Sequence, residues 1–200
     1  MKETSIFTHK ICGLHDTGPG HPEQMARLKV VTDALKKPEF GALDWHEAPQ
    51  ATVTQLERAH DKNYVASVLD AAPAQGYVGL DADTILSPHS IDAALHAAGA
   101  VVAAIDHVMD GKSKTAFCAV RPPGHHAEKD KAMGFCVFAN AAIGAFHAVE
   151  AHGLSRVAVI EEIETRGEPS LDDIAKRLKP ADILCVARYE SAATARTEVR

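Results

Sequence analysis

Thr115-Ala116-Phe117-Cys118-Ala119-Val120, then Asn140 to His152, then Arg156-Val157-Ala158-Val159-Ile160 form the stretch that decides the fold class. The first and third pieces are short apolar runs bounded by turn residues, as buried strands are. The middle piece reads as a helix and ends at Gly153, a residue that commonly terminates helices. Strand, helix and strand in that order predict a βαβ unit, hence a parallel sheet with a right-handed crossover. Ligands in such sheets sit beyond the carboxyl ends of the strands. The segments after Val120 and after Ile160 are therefore where chemistry is to be sought.

Working outward, Ser87-Pro88 opens the strongest helix, about His89 to Asp110, with a stop at Gly111. Its Ala97-Ala98-Gly99-Ala100 centre is built of small residues, which permit close packing against a sheet or another helix. Leu80 to Ser87 reads as a loop bearing Asp81 and Asp83. Thr52 to Asp70 reads as helical with a break near His60-Asp61. Leu14 to Gly20 is a polar, glycine-rich loop with His15 and Asp16. His21 follows, and Pro22 suits the first turn of a helix that runs through Leu35 and ends at Pro38. Downstream the character changes. Glu161 to Glu168 is highly charged, Ser170 to Leu178 is expected as a short amphipathic helix, and Ile183 to Ala187 as a strand. The expected division is 1–160 as the main unit and 161–200 as a divergent tail.

Composition restricts the function classes. Of 200 residues, 46% are apolar and 24% charged, which is ordinary for a globular domain. The net charge of -6 and the scatter of Lys and Arg exclude a phosphate-binding stripe, so no direct nucleic-acid partner is expected. None of Cys12, Cys118, Cys136 and Cys185 forms a Cys-x-x-Cys pair, which argues against a structural zinc knuckle. Met1 to Lys10 lacks an apolar signal core, and the apolar run Ala93 to Ile105 is too short to span a bilayer. No membrane partner and a reducing, cytoplasmic setting are expected.

The loop after Val120 carries the chemistry. Pro122, Pro123 and Gly124 hold a rigid backbone, and His125 and His126 follow. Twelve histidines make one adjacent pair unremarkable on composition alone. The position after a buried strand changes that. Adjacent side chains on extended backbone point in different directions. The two imidazoles are therefore expected to be inequivalent, one toward a bound water and one toward a carboxylate, as a tuned acid/base pair requires. Gly134-Phe135 could add a small residue and an aromatic wall to a narrow channel.

Phe117 to Ala127, with Ala132-Met133-Gly134-Phe135-Cys136-Val137-Phe138-Ala139-Asn140, resembles the histone deacetylase family. It is most similar to the class II and bacterial acetylpolyamine amidohydrolase-like branch. His21-Pro22-Glu23 with Arg27, Leu56 with His60 and Tyr64, Asp83-Thr84 with Ser87-Pro88, and Ala93-Ala94-Leu95 with Ala97-Ala98-Gly99 support the match. The resemblance implies an α/β, arginase–deacetylase-like fold, a parallel sheet flanked by helices, here as a partial domain. It implies zinc as cofactor and hydrolysis of an acetylated lysine peptide or an acetylated polyamine. His126 matches the general base and His125 its electrostatic partner. His21, Asp83, Gly134 and Phe135 match substrate-contacting positions.

One part of the family pattern is missing. After the strand matching Arg156 to Ile160 the family carries Asp-x-Asp-x-His-His-Gly-Asn-Gly, where this chain reads Glu161-Glu162-Ile163-Glu164-Thr165-Arg166-Gly167. The ligand Asp falls on Ile163 and the ligand His on Thr165, neither of which binds zinc as required. No metal ligand is therefore assigned. The expectation is a deacetylase-family chain interrupted after Ile160, of impaired activity. The alternatives are a catalytically inactive acyl-lysine-binding or regulatory protein, or a truncated fragment. His15 and Asp16 are expected at the site rim and His60 as structural. His89, His96, His107, His147 and His152 are expected as helix-surface or packing residues, and Cys136 as a packed thiol beside the channel.

Overall fold

A computed structural model describes residues 2–161 and 183–187. In chain order the elements are β1 (Lys2–Thr8), α1 (Met25–Leu35), β2 (Asp44–Glu47), α2 (Val53–Leu56), α3 (Lys62–Asp70), β3 (Val78–Gly79), β4 (Ile85–Leu86), α4 (Ser90–Met109), β5 (Ser113–Cys118), α5 (Asn140–His152), β6 (Val157–Glu161) and β7 (Ile183–Ala187). The architecture is α/β, with parallel strands flanked by helices.

β1 is the centre of a parallel three-stranded sheet of order β2-β1-β5. Alternation along β1 sends Ile6 and Phe7 to opposite faces. Ile6 packs with Leu28 of α1, Cys12 and Ala119, while Phe7 packs with Ala48 and with Ala100 and Ala104 of α4. The sheet is thus covered on both sides, as parallel sheets are. A second core joins α2, α3, α4 and α5 around Leu56, Val65, Val68, Ile143 and Phe138, all at most 1% exposed. Each fully buried side chain of this kind contributes roughly 1.5–3 kcal/mol of burial energy.

Among the described residues, α4 alone is long and apolar enough to cross a membrane by length and composition. Its alanine face is buried instead: Ala93, Ala97, Ala98 and Ala100 have no exposed surface. Gly99 shows why the centre is small. A Cβ there would come within 2.1 Å of the Pro49 carbonyl oxygen, so only glycine lets the 48–51 segment cross the helix.

Several expectations need correction. β5 and β6 are not sheet neighbours among the described residues: β5 pairs with β1, and β6 pairs in parallel with β7. A crossover helix does not fix the lateral partner of the next strand, so strand, helix and strand in sequence do not by themselves make β5 and β6 neighbours. β5 covers Ser113–Cys118 rather than 115–120, its register with β1 running from Lys2–Ser113 to Phe7–Cys118. α1 starts at Met25, three residues after Pro22, with Gln24 as N-cap. Leu80 to Ser87 is not a plain loop, since β3 and β4 form a short antiparallel hairpin there, closed at Val78–Leu86 and Gly79–Ile85. The helix expected at Ser170 to Leu178 lies outside the described residues.

Candidate active site

The loop from Ala119 to Ala139 leaves the carboxyl end of β5 and returns at α5, and buried polar bonds pin it at both ends. At the start, Arg121 is 3% exposed. Its Nε donates to Glu23 Oε1 at 2.5 Å and its Nη2 to Glu23 Oε2. Its Nη1 donates to the carbonyls of His15 at 3.0 Å and Cys12 at 3.3 Å. One guanidinium thus fastens the site loop to the segment from Cys12 to Glu23, using a planar donor fork that suits a carboxylate. At the far end, His60 Nε2 accepts from Ala139 N–H at 2.9 Å while its Nδ1 contacts the Lys129 carbonyl at 3.1 Å. The first bond makes Nε2 the acceptor, so Nδ1 carries the proton and donates. The Tyr64 hydroxyl donates to the Val137 carbonyl at 2.6 Å. Burial holds His60 below the ordinary imidazole range, with hydrogen bonds to the Lys129 and Glu128 backbone acting in the opposite direction. This suits the structural role expected for His60.

Between these anchors stand the histidines. The rings of His125 and His126 have centroids 4.1 Å apart and planes tilted by 56°. They do not diverge as extended backbone would make them, because the turn after Gly124 folds the two rings together. Their surroundings still differ. His125 lines a cleft together with Arg27, Phe117, Pro123 and Phe135. His126 donates its backbone N–H to Cys136 Sγ at 3.4 Å and packs on Gly134. Cys136 is fully buried, and its Sγ also contacts the Gly134 carbonyl at 3.3 Å, which places it as a packed thiol beneath the pair.

Gly134 has φ +57°, and a Cβ there would lie 2.7 Å from His126 Cδ2. Both the backbone conformation and the close approach require glycine. Phe135 follows at φ +68°, a conformation that costs a bulky residue free energy. Its backbone N–H donates to Thr84 Oγ1 at 3.2 Å, which helps hold it there. Thr84 is buried and receives its own backbone bond from Asp81, whose Oδ1 accepts from the N–H groups of Thr84 at 2.8 Å and Asp83 at 3.0 Å. His21 Nε2 meets the Asp83 carbonyl at 3.0 Å, and the His21 ring stands edge-on to Phe135, centroids 4.8 Å apart. His21, Asp83, Gly134 and Phe135 therefore gather around the histidine pair. Asp83 takes part through its backbone carbonyl and through Oδ1, which accepts from the Thr84 hydroxyl at 3.3 Å, although the residue is exposed overall.

His15 is corrected. It is 1% exposed, so it does not line the rim. Its Nδ1 bonds Ser90 Oγ at 2.7 Å, and burial, then the positive charge of Arg121, depresses its pKa to about 3. Asp16 lies outside the core. It accepts from Gly18 N–H at 3.0 Å and from the Tyr77 hydroxyl at 2.8 Å, bonds that hold its carboxyl below the ordinary range. Thr84 was missed in the sequence reading, although the adjacent Asp83-Thr84 match was its signal.

A catalytic zinc needs three protein ligands drawn from His, Asp, Glu and Cys around one point. Among the described residues, two groups of three side chains hold their ligand atoms within 4.8 Å of one another: Asp44, His46 and His107, and Asp106, His147 and His152. Neither includes His125 or His126, so the described residues provide no three-ligand set at the loop. Ile163 and Thr165 lie outside the described residues.

Residues 21–161 match the histone deacetylase domain. The chain is 39% identical over 152 residues to an uncharacterized protein of Synechocystis, which covers 74% of this chain and 49% of the relative. It is 35% identical to histone deacetylase 8 of Arabidopsis thaliana over 74% of this chain and 42% of that one. It is 33% identical to the histone deacetylase-like amidohydrolase of Pseudomonas aeruginosa over 80% of this chain and 47% of that one. The solved structure of the HDA15 HD domain superposes with a TM-score of 0.77 at 27% identity, over 92% of this chain and 52% of that one. The chain spans about half the length of the curated relatives it matches. With the domain matched over most of the sequence and the same motif residues gathered around one loop, the chain belongs to the histone deacetylase family.

Proposed function

We propose that this chain carries the acyl-amine channel and the histidine pair of an amide hydrolase acting on acetylated lysine side chains or acetylated polyamines. Family membership favours a hydrolase over a binding-only protein. The observation that carries the reading is Phe135, held at positive φ beside His125 and His126, with Gly134 left bare beneath His126. A strained aromatic residue is retained where its ring has work to do. Its face offers apolar surface to the methylene stem of an acylated amine. The His21 ring stands edge-on beside it, centroids 4.8 Å apart.

The family is metal-dependent, and zinc is the ion expected for it. The described residues do not supply its ligand set at this loop, so the steps assigned to this chain are binding, orientation and proton transfer. His126 is assigned the proton of the attacking water. It returns that proton to the amine nitrogen as the carbonyl C–N bond breaks, with acetate as the other product. His125 is its electrostatic partner, facing the cleft.

The test uses a synthetic acetyl-lysine peptide. Titration calorimetry should show binding to the chain, weakened about tenfold, or roughly 1.4 kcal/mol, in Phe135→Ala. Release of acetate from the same peptide with zinc supplied should be lost in His126→Ala. A chain folded by circular dichroism that neither binds the peptide nor releases acetate would overturn the reading.

A further inference from the structure

The second metal-capable group has its own explanation and the first does not. In Asp106, His147 and His152, Arg58 Nη1 lies 2.6 Å from His147 Nδ1. A guanidinium can only donate, so Nδ1 accepts and His147 donates Nε2–H to Asp106 Oδ1 at 2.6 Å. His152 bonds the same oxygen at 2.7 Å. That group is closed by hydrogen bonds, and Arg58 places a positive charge beside it.

Asp44, His46 and His107 differ. Residues two apart on a strand share a face, so Asp44 and His46 of β2 both point toward α4, whose last turn carries His107. The His46 ring stacks on Phe7 at 4.9 Å, and the His107 ring meets Phe7 edge-on at 5.5 Å. The two imidazoles are thereby held 4.6 Å apart between centroids. Both Nε2 atoms are buried, and among the described residues neither has a hydrogen-bond partner. Asp44 Oδ2 lies 3.2 Å from His46 Nε2, yet outside hydrogen-bonding direction. Ligand atoms of a tetrahedral ion behave this way. They stand about 3.3 Å apart for metal–ligand bonds of about 2.05 Å, and their lone pairs aim at a common point rather than at each other. A buried, unsatisfied nitrogen calls for a physical reason, and two converging on one carboxylate call for the same one.

We propose that Asp44, His46 and His107 bind a divalent ion of the zinc class, with water as fourth ligand. Two imidazoles and a carboxylate suit zinc and its neighbours and disfavour magnesium and calcium, which take oxygen ligands. The side chains of His46 and Asp44 keep 31% and 34% of their surface exposed, which gives the ion a path in and leaves room for the water. The ion would tie edge strand β2 to the end of α4. The site shares no residue with the His125–His126 loop and lies on the opposite face of the sheet from α1.

The chain, stripped with chelator, is titrated with Co2+ as the probe. The expected result is a visible tetrahedral d–d band at one equivalent, displaced by Zn2+, with a rise in melting temperature. The band should vanish in His107→Gln and in Asp44→Asn, each checked for an unchanged far-ultraviolet circular dichroism spectrum, and persist in His152→Gln and His126→Gln. Two substitutions on separate elements guard against one that fails to fold. Absence of the band from folded chain, its survival in either site variant, or its loss in His126→Gln or His152→Gln would overturn the proposal.

Discussion

The His21 ring stands edge-on to Phe135, with centroids 4.8 Å apart and planes at 74°, while His21 Nε2 meets the Asp83 carbonyl at 3.0 Å. Glu23 N–H donates to His21 Nδ1 at 3.1 Å, so Nε2 carries the proton and donates to Asp83. The ring is clamped at both nitrogens and presents its edge to the aromatic wall. The wall is thus positioned from two directions, by Thr84 through the backbone and by His21 through the ring.

Phe135 separates ring from backbone. Phe135→Ala and Phe135→Gly lose the same aromatic surface, and both should weaken acetyl-lysine peptide binding by about tenfold. At φ +68° alanine is strained and glycine is not. Phe135→Gly should therefore be more stable than Phe135→Ala by roughly 0.5–1 kcal/mol. Equal urea midpoints for the two variants would show that Phe135 is not held in the left-handed region.

Gly134 is tested by adding one methyl group. In Gly134→Ala the new Cβ would lie 2.7 Å from His126 Cδ2 and 2.9 Å from its Cγ. Either the imidazole moves or the backbone leaves φ +57°. A loss of about 1–3 kcal/mol is expected from strain and crowding. Peptide hydrolysis should fall further than peptide binding, because His126 is the group displaced. Urea denaturation gives the first quantity, and acetate release against calorimetry gives the second.

Arg121 and Glu23 form a buried pair, their side chains 4% and 5% exposed. Removing one partner leaves a buried charge without compensation, which costs about 3–5 kcal/mol. Arg121→Met should lower stability by that order and should also loosen Cys12 and His15, whose carbonyls lose their donor. The double variant Arg121→Met/Glu23→Leu should recover part of the loss, since no lone charge remains. A double variant as unstable as the single one would mean that the backbone bonds of Arg121 matter more than its ion pair.

Local signals and non-local ones differed in how far they could be read. α5 was legible at both ends, Asn140 and His152, because helical spacing and the stop at Gly153 are local facts of the chain. The break at His60-Asp61 and strand β7 were legible for the same reason. β1 and β2 were not. Lys2 to Thr8 offers only Ile6 and Phe7 as apolar signal, and β2 reads Asp44-Trp45-His46-Glu47. Their strand character comes from pairing with each other and with β5, distant in sequence. The site showed the same division. Gly134, Phe135 and the histidine pair lie in one contiguous motif, whereas His15 needed its burial against Ser90 and Arg121 to be seen. Asp44, His46 and His107 share no motif, and only the packing of α4 on β1 and β2 brings them together.

His15 makes stability depend on pH in a direction that can be checked. Its folded-state pKa of about 3 lies below the unfolded imidazole value of 6.5. Glu23 Oε2 is 3.7 Å from His15 Nε2, but Arg121 already neutralises that carboxylate, so burial governs. Between the two values the unfolded chain binds the proton and the folded chain does not. The contribution of His15 is thus fully present above about pH 6.5 and is lost as pH falls toward 3, at no more than about 1.4 kcal/mol per pH unit. His60, also lowered by burial, adds a slope of the same sign. Urea denaturation at pH 7, 6, 5 and 4 should show stability falling through this window, and His15→Gln should flatten the profile while lowering the value at pH 7. A profile equally steep in His15→Gln would place the acid sensitivity in other groups.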